Sequence, residues 1–290
     1  MNIKRLIVTS CLIFLALCSC NSNKKNEIDK IKTTDQTIGI PQPGDWLAEH
    51  KETGQTFEQY EKLNPLRVTD SQNTIYIQPI GKFNEKEEKI LNLTVEYLEL
   101  FYCVKTKKLK PISDNLIPKD KRRLNEMGQE QLDASYILDS IMPKVKPEDA
   151  LVVMGLTTKD LYPKPSWNFV FGLATYSKGV GVTSFFRYEP NRDDYRLCLR
   201  RTIRTSAHEI GHMFKMKHCT HAKCVMNGVN SLSEDDSKPN TLCSVCLKKM
   251  KLNFDFNTKS RFENLLAFYD AHDLLIDYDF MQQQFNAFKK

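Results

Sequence analysis

Residues 208–212 read His-Glu-Ile-Gly-His, and a further histidine follows at position 218. On a helix, positions four apart share a face, so His208 and His212 can bind one metal ion. Glu209 is turned by about 100° from His208, and can reach a water on that metal without taking a coordination position. Zinc lowers the pKa of such a water towards about 7, and a neighbouring carboxylate can accept its proton as it attacks a peptide carbonyl. On a continued helix His218 would point away from the other two, so a three-histidine site requires a sharp turn after Lys215. The chain has only 6 histidines. Half of them fall in this stretch, which favours a common purpose over a surface helix with stray imidazoles.

Two short-spaced cysteine pairs come next, Cys219 with Cys224 and Cys243 with Cys246. This is the usual sequence form of a closed, tetrahedral zinc site with four thiolate ligands. Disulfides compete with that reading if the protein is exported; a zinc knuckle for nucleic acid is weaker, because export separates the chain from nucleic acid. The loop between the pairs, 227–242, is rich in Ser, Asn and Asp and is expected to be exposed. His221 could replace one thiolate but reads as a solvated loop residue. Cys103 and Cys198 read as buried, inert thiols; a disulfide between them needs a distance that spacing does not give. His50 and His272 read as surface residues. Tyr162 and Tyr176 are candidates for a cleft wall or for strand packing.

The elements that must position these groups follow from periodicity. Residues 74–80 (TIYIQPI) and 150–156 (ALVVMGL) predict strands, the second buried on both faces. Strands are also expected at 101–104, 168–175 and 180–187. Helices are expected at 85–100, at 131–142 up to Pro143, at 200–214 carrying the histidines, and at 261–270 and 274–288. The first half thus alternates strand and helix and the second is mainly helical, an α+β arrangement with a cleft between the halves.

With 290 residues, 41% of them hydrophobic and a net charge of +6 spread along the chain, the composition fits a globular body and gives little support to nucleic-acid binding. Lys4 and Arg5 precede an apolar run, 6–17, too short to span a bilayer comfortably. Leu17-Cys18-Ser19-Cys20 then has the form of a bacterial lipobox with Cys20 as the lipidated residue; an ordinary secretory signal is the alternative. Residues 1–20 are therefore expected to be a lipoprotein signal peptide and 21–44 a flexible tether. Residues 45–290 form the catalytic domain, with the four-cysteine subsite at 219–246. The expected protein is an exported, membrane-anchored bacterial lipoprotein, monomeric, touching the membrane only through its lipid, with a peptide or protein substrate and no nucleic-acid partner.

Residues 208–218 match the metzincin pattern of two helix histidines, a turn and a third histidine. Cys219, Cys224, Met226, Cys243 and Cys246, with residues 75–81, 160–163 and 168–174, resemble more specifically the archaemetzincin (archaelysin) family over most of 45–250. The resemblance implies a metzincin-like fold with a mixed, twisted sheet and an active-site helix. It also implies zinc-dependent peptide hydrolysis, a second, structural zinc, and Met226 as the Met-turn residue beneath the catalytic metal. The family usually has glycine where this chain has Lys215, and a lysine in a left-handed turn costs about 1–2 kcal/mol. A catalytically silent binding lipoprotein of the same fold is the alternative that this substitution leaves open.

Overall fold

Ala150–Thr157 (ALVVMGLT) is apolar throughout and buried along its whole length, as a strand covered on both faces must be. It is the centre of a five-stranded sheet in a computed structural model that describes residues 27–190 and 192–290. We number the strands β1 (Thr74–Ile80), β2 (Thr106–Lys108), β3 (Arg122–Leu124), β4 (Glu130–Asp133), β5 (Ala150–Thr157), β6 (Asp160–Tyr162), β7 (Gly172–Ala174) and β8 (Val180–Ser184). The long helices are α1 (Glu85–Tyr102), α2 (Arg196–Met213), α3 (Ser244–Asn253), α4 (Thr258–Ala271) and α5 (Leu275–Lys289).

The main sheet runs β2-β1-β5-β8-β7. Its pairs are parallel except the last, in which β7 lies antiparallel to β8. A second, three-stranded sheet, β3-β4-β6, sits beside it. The fold is thus α+β with mixed sheets, and the chain after β8 is helical among the described residues.

Helix α1 begins at a capping box in which Asn84 and Glu87 satisfy each other's backbone N–H. It runs past the expected end through Phe101 and Tyr102, so no strand forms at 101–104. Both aromatics keep the helical spacing that buries Tyr97 and Leu98, and the Tyr102 hydroxyl donates to the Ala207 carbonyl of α2 at 2.6 Å. The helix stops because Cys103 turns left-handed (φ 54°). That position is exposed, so Cys103 is not the buried thiol expected, whereas Cys198 is buried.

Four further expectations shift. Residues 131–142 divide into β4 and helical turns from Ala134 to Val145, with a π-helical stretch at Ile137–Ile141. Pro143 lies in the first turn of the last piece, where a missing N–H is tolerated. Only Gly172–Ala174 of 168–175 pairs as a strand, and β8 gives way to a 3₁₀ turn at Phe186–Tyr188. Residues 28–36 are no flexible tether. Ile28 and Ile31 are buried in the main core, Asp35 accepts from the Ser244 N–H and hydroxyl at 2.9 and 2.5 Å, and the Gln36 carbonyl accepts from Lys223 N–H. Two isoleucines at helical spacing suffice to dock a polar segment.

Loop 227–242 is largely buried, contrary to its polar composition. Three arginines on one side of α2 draw it in. Arg200 donates to Asp277 (3.0 Å) and to the Lys238 carbonyl (2.7 Å). Arg201 forks onto Asp236 (2.9 and 2.6 Å), and Arg204 pairs with Asp235 and donates to the Pro239 carbonyl. Asp277 is fully buried; burial pushes its carboxyl pKa up and Arg200 opposes that. Arg200→Leu leaves this carboxylate without its cation and is expected to cost about 3–5 kcal/mol, measured by urea denaturation.

Candidate metal centres and active-site cleft

Helix α2 delivers His208, Glu209 and His212 to a cleft of about 430 Å³. Its walls are β7 with the segment before it, Tyr176, Trp46 and Trp167, and residues 227–230. Behind α2 the backbone reverses at Lys215, which takes φ 66°. The Lys215 N–H donates to His212 O (2.8 Å) and the Met216 N–H to Gly211 O (3.1 Å), closing the helix end. Gln55 donates to the Lys215 carbonyl and the Lys215 ammonium reaches Leu63 O, each at 3.2 Å. These four bonds hold the lysine in the left-handed region.

The turn brings His218 back beside the helix, and one ring nitrogen from each of the three histidines lies within 4.8 Å of the others. Each imidazole is oriented through Nδ1. His208 Nδ1 lies 2.9 Å from Val225 O, His212 Nδ1 2.7 Å from Met216 O, and His218 Nδ1 2.9 and 3.0 Å from the Glu52 carboxylate oxygens. Carbonyl and carboxylate oxygens only accept, so each Nδ1 carries the proton and each Nε2 presents a lone pair. The Nε2 atoms of His208 and His212 are 2.9 Å apart. Two lone pairs that close need a cation between them, and tetrahedral zinc would set them at about 3.3 Å. The donor set therefore fits zinc. Burial, then the neighbouring imidazoles, hold His208 well below the usual histidine pKa, and burial with His218 takes His212 to about 4, so both imidazoles are neutral at neutral pH.

Glu209 is buried against β7, which pushes its pKa up to about 8; a dication nearby would oppose that rise. Its carboxylate lies on the bare Cα of Gly172, where a Cβ would come within 2.7 Å of Glu209 Cγ. Met226 packs on α2 at Gly211, where a Cβ would meet its sulfur at 2.5 Å. Tyr176 lines the cleft with its ring 5.3 Å from His212. Tyr162 is buried away from it, under the Arg123 guanidinium.

The sulfurs of Cys219, Cys224, Cys243 and Cys246 are all buried and within 4.8 Å of one another. Cys219 and Cys243 are 3.6 Å apart, far beyond a disulfide bond and near the roughly 3.8 Å edge of a zinc–thiolate tetrahedron. The backbone N–H groups of Met226 and Cys243 point at the Cys224 sulfur (3.5 and 3.4 Å). Without a cation these thiols can share little negative charge. Hydrogen bonds from the other three draw Cys219 down, while Cys243 and Cys246 are pushed up. His221 stands outside the cluster, exposed, and pairs with Asp35 (3.0 Å).

The model of peptidase family M54 matches residues 105–252. The chain is 36% identical over 269 residues to archaemetzincin-2 of Pongo abelii, covering 80% of this chain and 74% of that one. This chain belongs to peptidase family M54, the archaemetzincins. It is 27% identical to archaemetzincin-1 of Homo sapiens, over 78% of this chain and 52% of the relative. The crystal structure of archaemetzincin from Methanopyrus kandleri superposes with a TM-score of 0.52 at 28% identity, covering 65% of this chain and 98% of that one. As an archaemetzincin the chain is a zinc metallopeptidase, a hydrolase acting on peptide bonds.

Several residues that sequence reasoning passed over shape the site. Glu52 and Trp46 come from the N-terminal segment, Gly172 makes room for Glu209, and Asn227, in the cleft wall, closes the cysteine loop. Its side chain accepts from Cys224 N–H (2.7 Å) and donates to the carbonyls of Cys219 (2.7 Å) and Ala222 (2.9 Å). His50, expected at the surface, has its ring centroid 4.0 Å from that of Trp46. Only Gly172 carried a usable signal, a lone glycine in an apolar strand. Thiol mapping after denaturation in chelator is expected to find Cys219, Cys224, Cys243 and Cys246 all reactive without reductant. Protection of these positions until reductant is added would replace the zinc reading with disulfides.

Proposed function

We propose that the three-histidine cleft is the catalytic centre. His208, His212 and His218 hold the catalytic zinc, Glu209 is the general base, and a second, structural zinc is held by Cys219, Cys224, Cys243 and Cys246. The observation that carries this reading is the convergence of three Nε2 lone pairs, each fixed through its own Nδ1, beside a buried carboxylate in one cleft. Zinc there supplies Lewis acidity, making a water acidic enough to attack at neutral pH and polarising the scissile carbonyl. Glu209 takes the proton of the attacking water and passes it to the leaving amine nitrogen. Its burial strengthens that exchange by excluding bulk water. The Nδ1 partners keep the imidazoles from rotating, and Met226 fills the space under them. The substrate is a peptide or protein that lies against β7 and the aromatic wall. Support for an inactive binding protein rested on Lys215, and the turn at that residue is closed by ordinary hydrogen bonds.

We also propose that the protein is an exported lipoprotein anchored through Cys20. That residue and the signal region lie outside the described residues. No helix among the described residues is long and apolar enough to cross a membrane. Because Ile28 is already packed, the link from Cys20 would be residues 21–27, a reach of roughly 25 Å when extended. Such a short link would keep the folded body close to the lipid face.

Two experiments test these readings. Glu209→Gln and Gly172→Ala should each retain zinc and lose turnover on a peptide library, the first by about 10²–10⁴-fold. Near-normal turnover of Glu209→Gln would remove the general base. Mass spectrometry of the mature amino terminus should find an acylated Cys20; any other first residue rules the anchor out.

A further inference from the structure

Among the three metal-site histidines, His218 is held differently. His208 and His212 stand on α2, and their Nδ1 groups face backbone carbonyls that follow it in the chain, Val225 and Met216. His218 lies beyond the helix, which ends at Met213. Its Nδ1 faces both oxygens of Glu52, a residue 166 positions earlier in the chain. The edge of Trp46 closes against the same ring, with centroids 5.0 Å apart.

The segment carrying Glu52 is itself anchored along its length. The Trp46 N–H donates to Glu234, and the Trp46 ring lies on Gly228, where a Cβ would come within 2.5 Å. Gln55 accepts from Lys217 N–H (3.3 Å) and from the Lys249 ammonium, whose other acceptor is the Gln55 carbonyl at 2.6 Å. A capping box at Thr56 and Gln59 then starts the next helical turn.

We propose that Glu52 is the positioning residue for His218, and that residues 45–56 form part of the metal centre. The carboxylate fixes the Nδ1–H tautomer, stops the ring from turning and makes Nε2 a stronger donor to a dication. This rests on the reading of His218 as a zinc ligand.

The test is zinc binding to the full-length protein, measured by competition with a chromophoric chelator. The proteins compared are wild type, Glu52→Ala, Glu52→Gln and His218→Ala. Glu52→Ala should weaken the histidine-site zinc by about 10–100-fold, while the cysteine-site zinc and the melting temperature of the histidine-site-free protein stay unchanged. Glu52→Gln keeps the shape and one acceptor oxygen, so it should lose less affinity in the same direction, and it serves if Glu52→Ala folds poorly. The visible bands of the cobalt-substituted site should shift in Glu52→Ala. If His218→Ala loses zinc while both Glu52 variants bind it as tightly as wild type, the role of Glu52 is overturned and the three-histidine reading stands. If His218→Ala also binds zinc normally, the three-histidine reading itself fails.

Discussion

Everything at the three-histidine cleft depends on the directed hydrogen bond made by each of the three imidazoles through Nδ1. An acceptor at Nδ1 selects the tautomer that presents a lone pair at Nε2 and fixes the direction in which it points. The three acceptors come from three different pieces of backbone: Met216 in the reversing turn, Val225 in the loop after Cys224, and Glu52 near the N-terminal end of the described chain. The cleft therefore exists only if the turn, the cysteine loop and the N-terminal segment are all in place.

The three-histidine and four-cysteine clusters are mechanically one. His218 and Cys219 are neighbours in sequence, and Cys219 N–H donates to the Met226 carbonyl at 2.7 Å. Met226 in turn fills the hollow under Gly211, while Asn227 closes the loop back onto Cys219 and Ala222. A cation among the four sulfurs would draw together a loop whose ends set two of the three imidazoles. Closed tetrahedral sites of this kind contribute folding free energy directly, and here that free energy would be spent on holding Val225 O and His218 in position.

The N-terminal part of α2 solves a different problem. A helix carrying three arginines among its buried residues needs compensating charge, and Asp235, Asp236 and Asp277 supply it. Breaking such pairs is costly, although forming them adds little net stability. Their value is in register. They fix the angular position of α2, and with it the direction in which His208 and His212 point.

Sequence alone determined the chemistry and its order along the chain. His208, Glu209 and His212 are local: the helical period places them on one side with no help from the rest of the fold. The cysteine spacings and the buried character of β1 and β5 are local in the same sense. Tertiary structure decided what local patterns do not encode. Glu52 carries no signal in its own surroundings, because its partner is brought to it by the turn at Lys215. Loop 227–242 reads as exposed because its polarity is visible and the arginines that neutralise it lie on another element. Residues 28–36 read as a tether because two isoleucines are too few for a periodic pattern, yet they suffice once a core is there to receive them. Helix α1 overran its expected end for a related reason. Phe101 and Tyr102 suit a strand by type, and packing against α2, which no single-segment pattern contains, kept them helical.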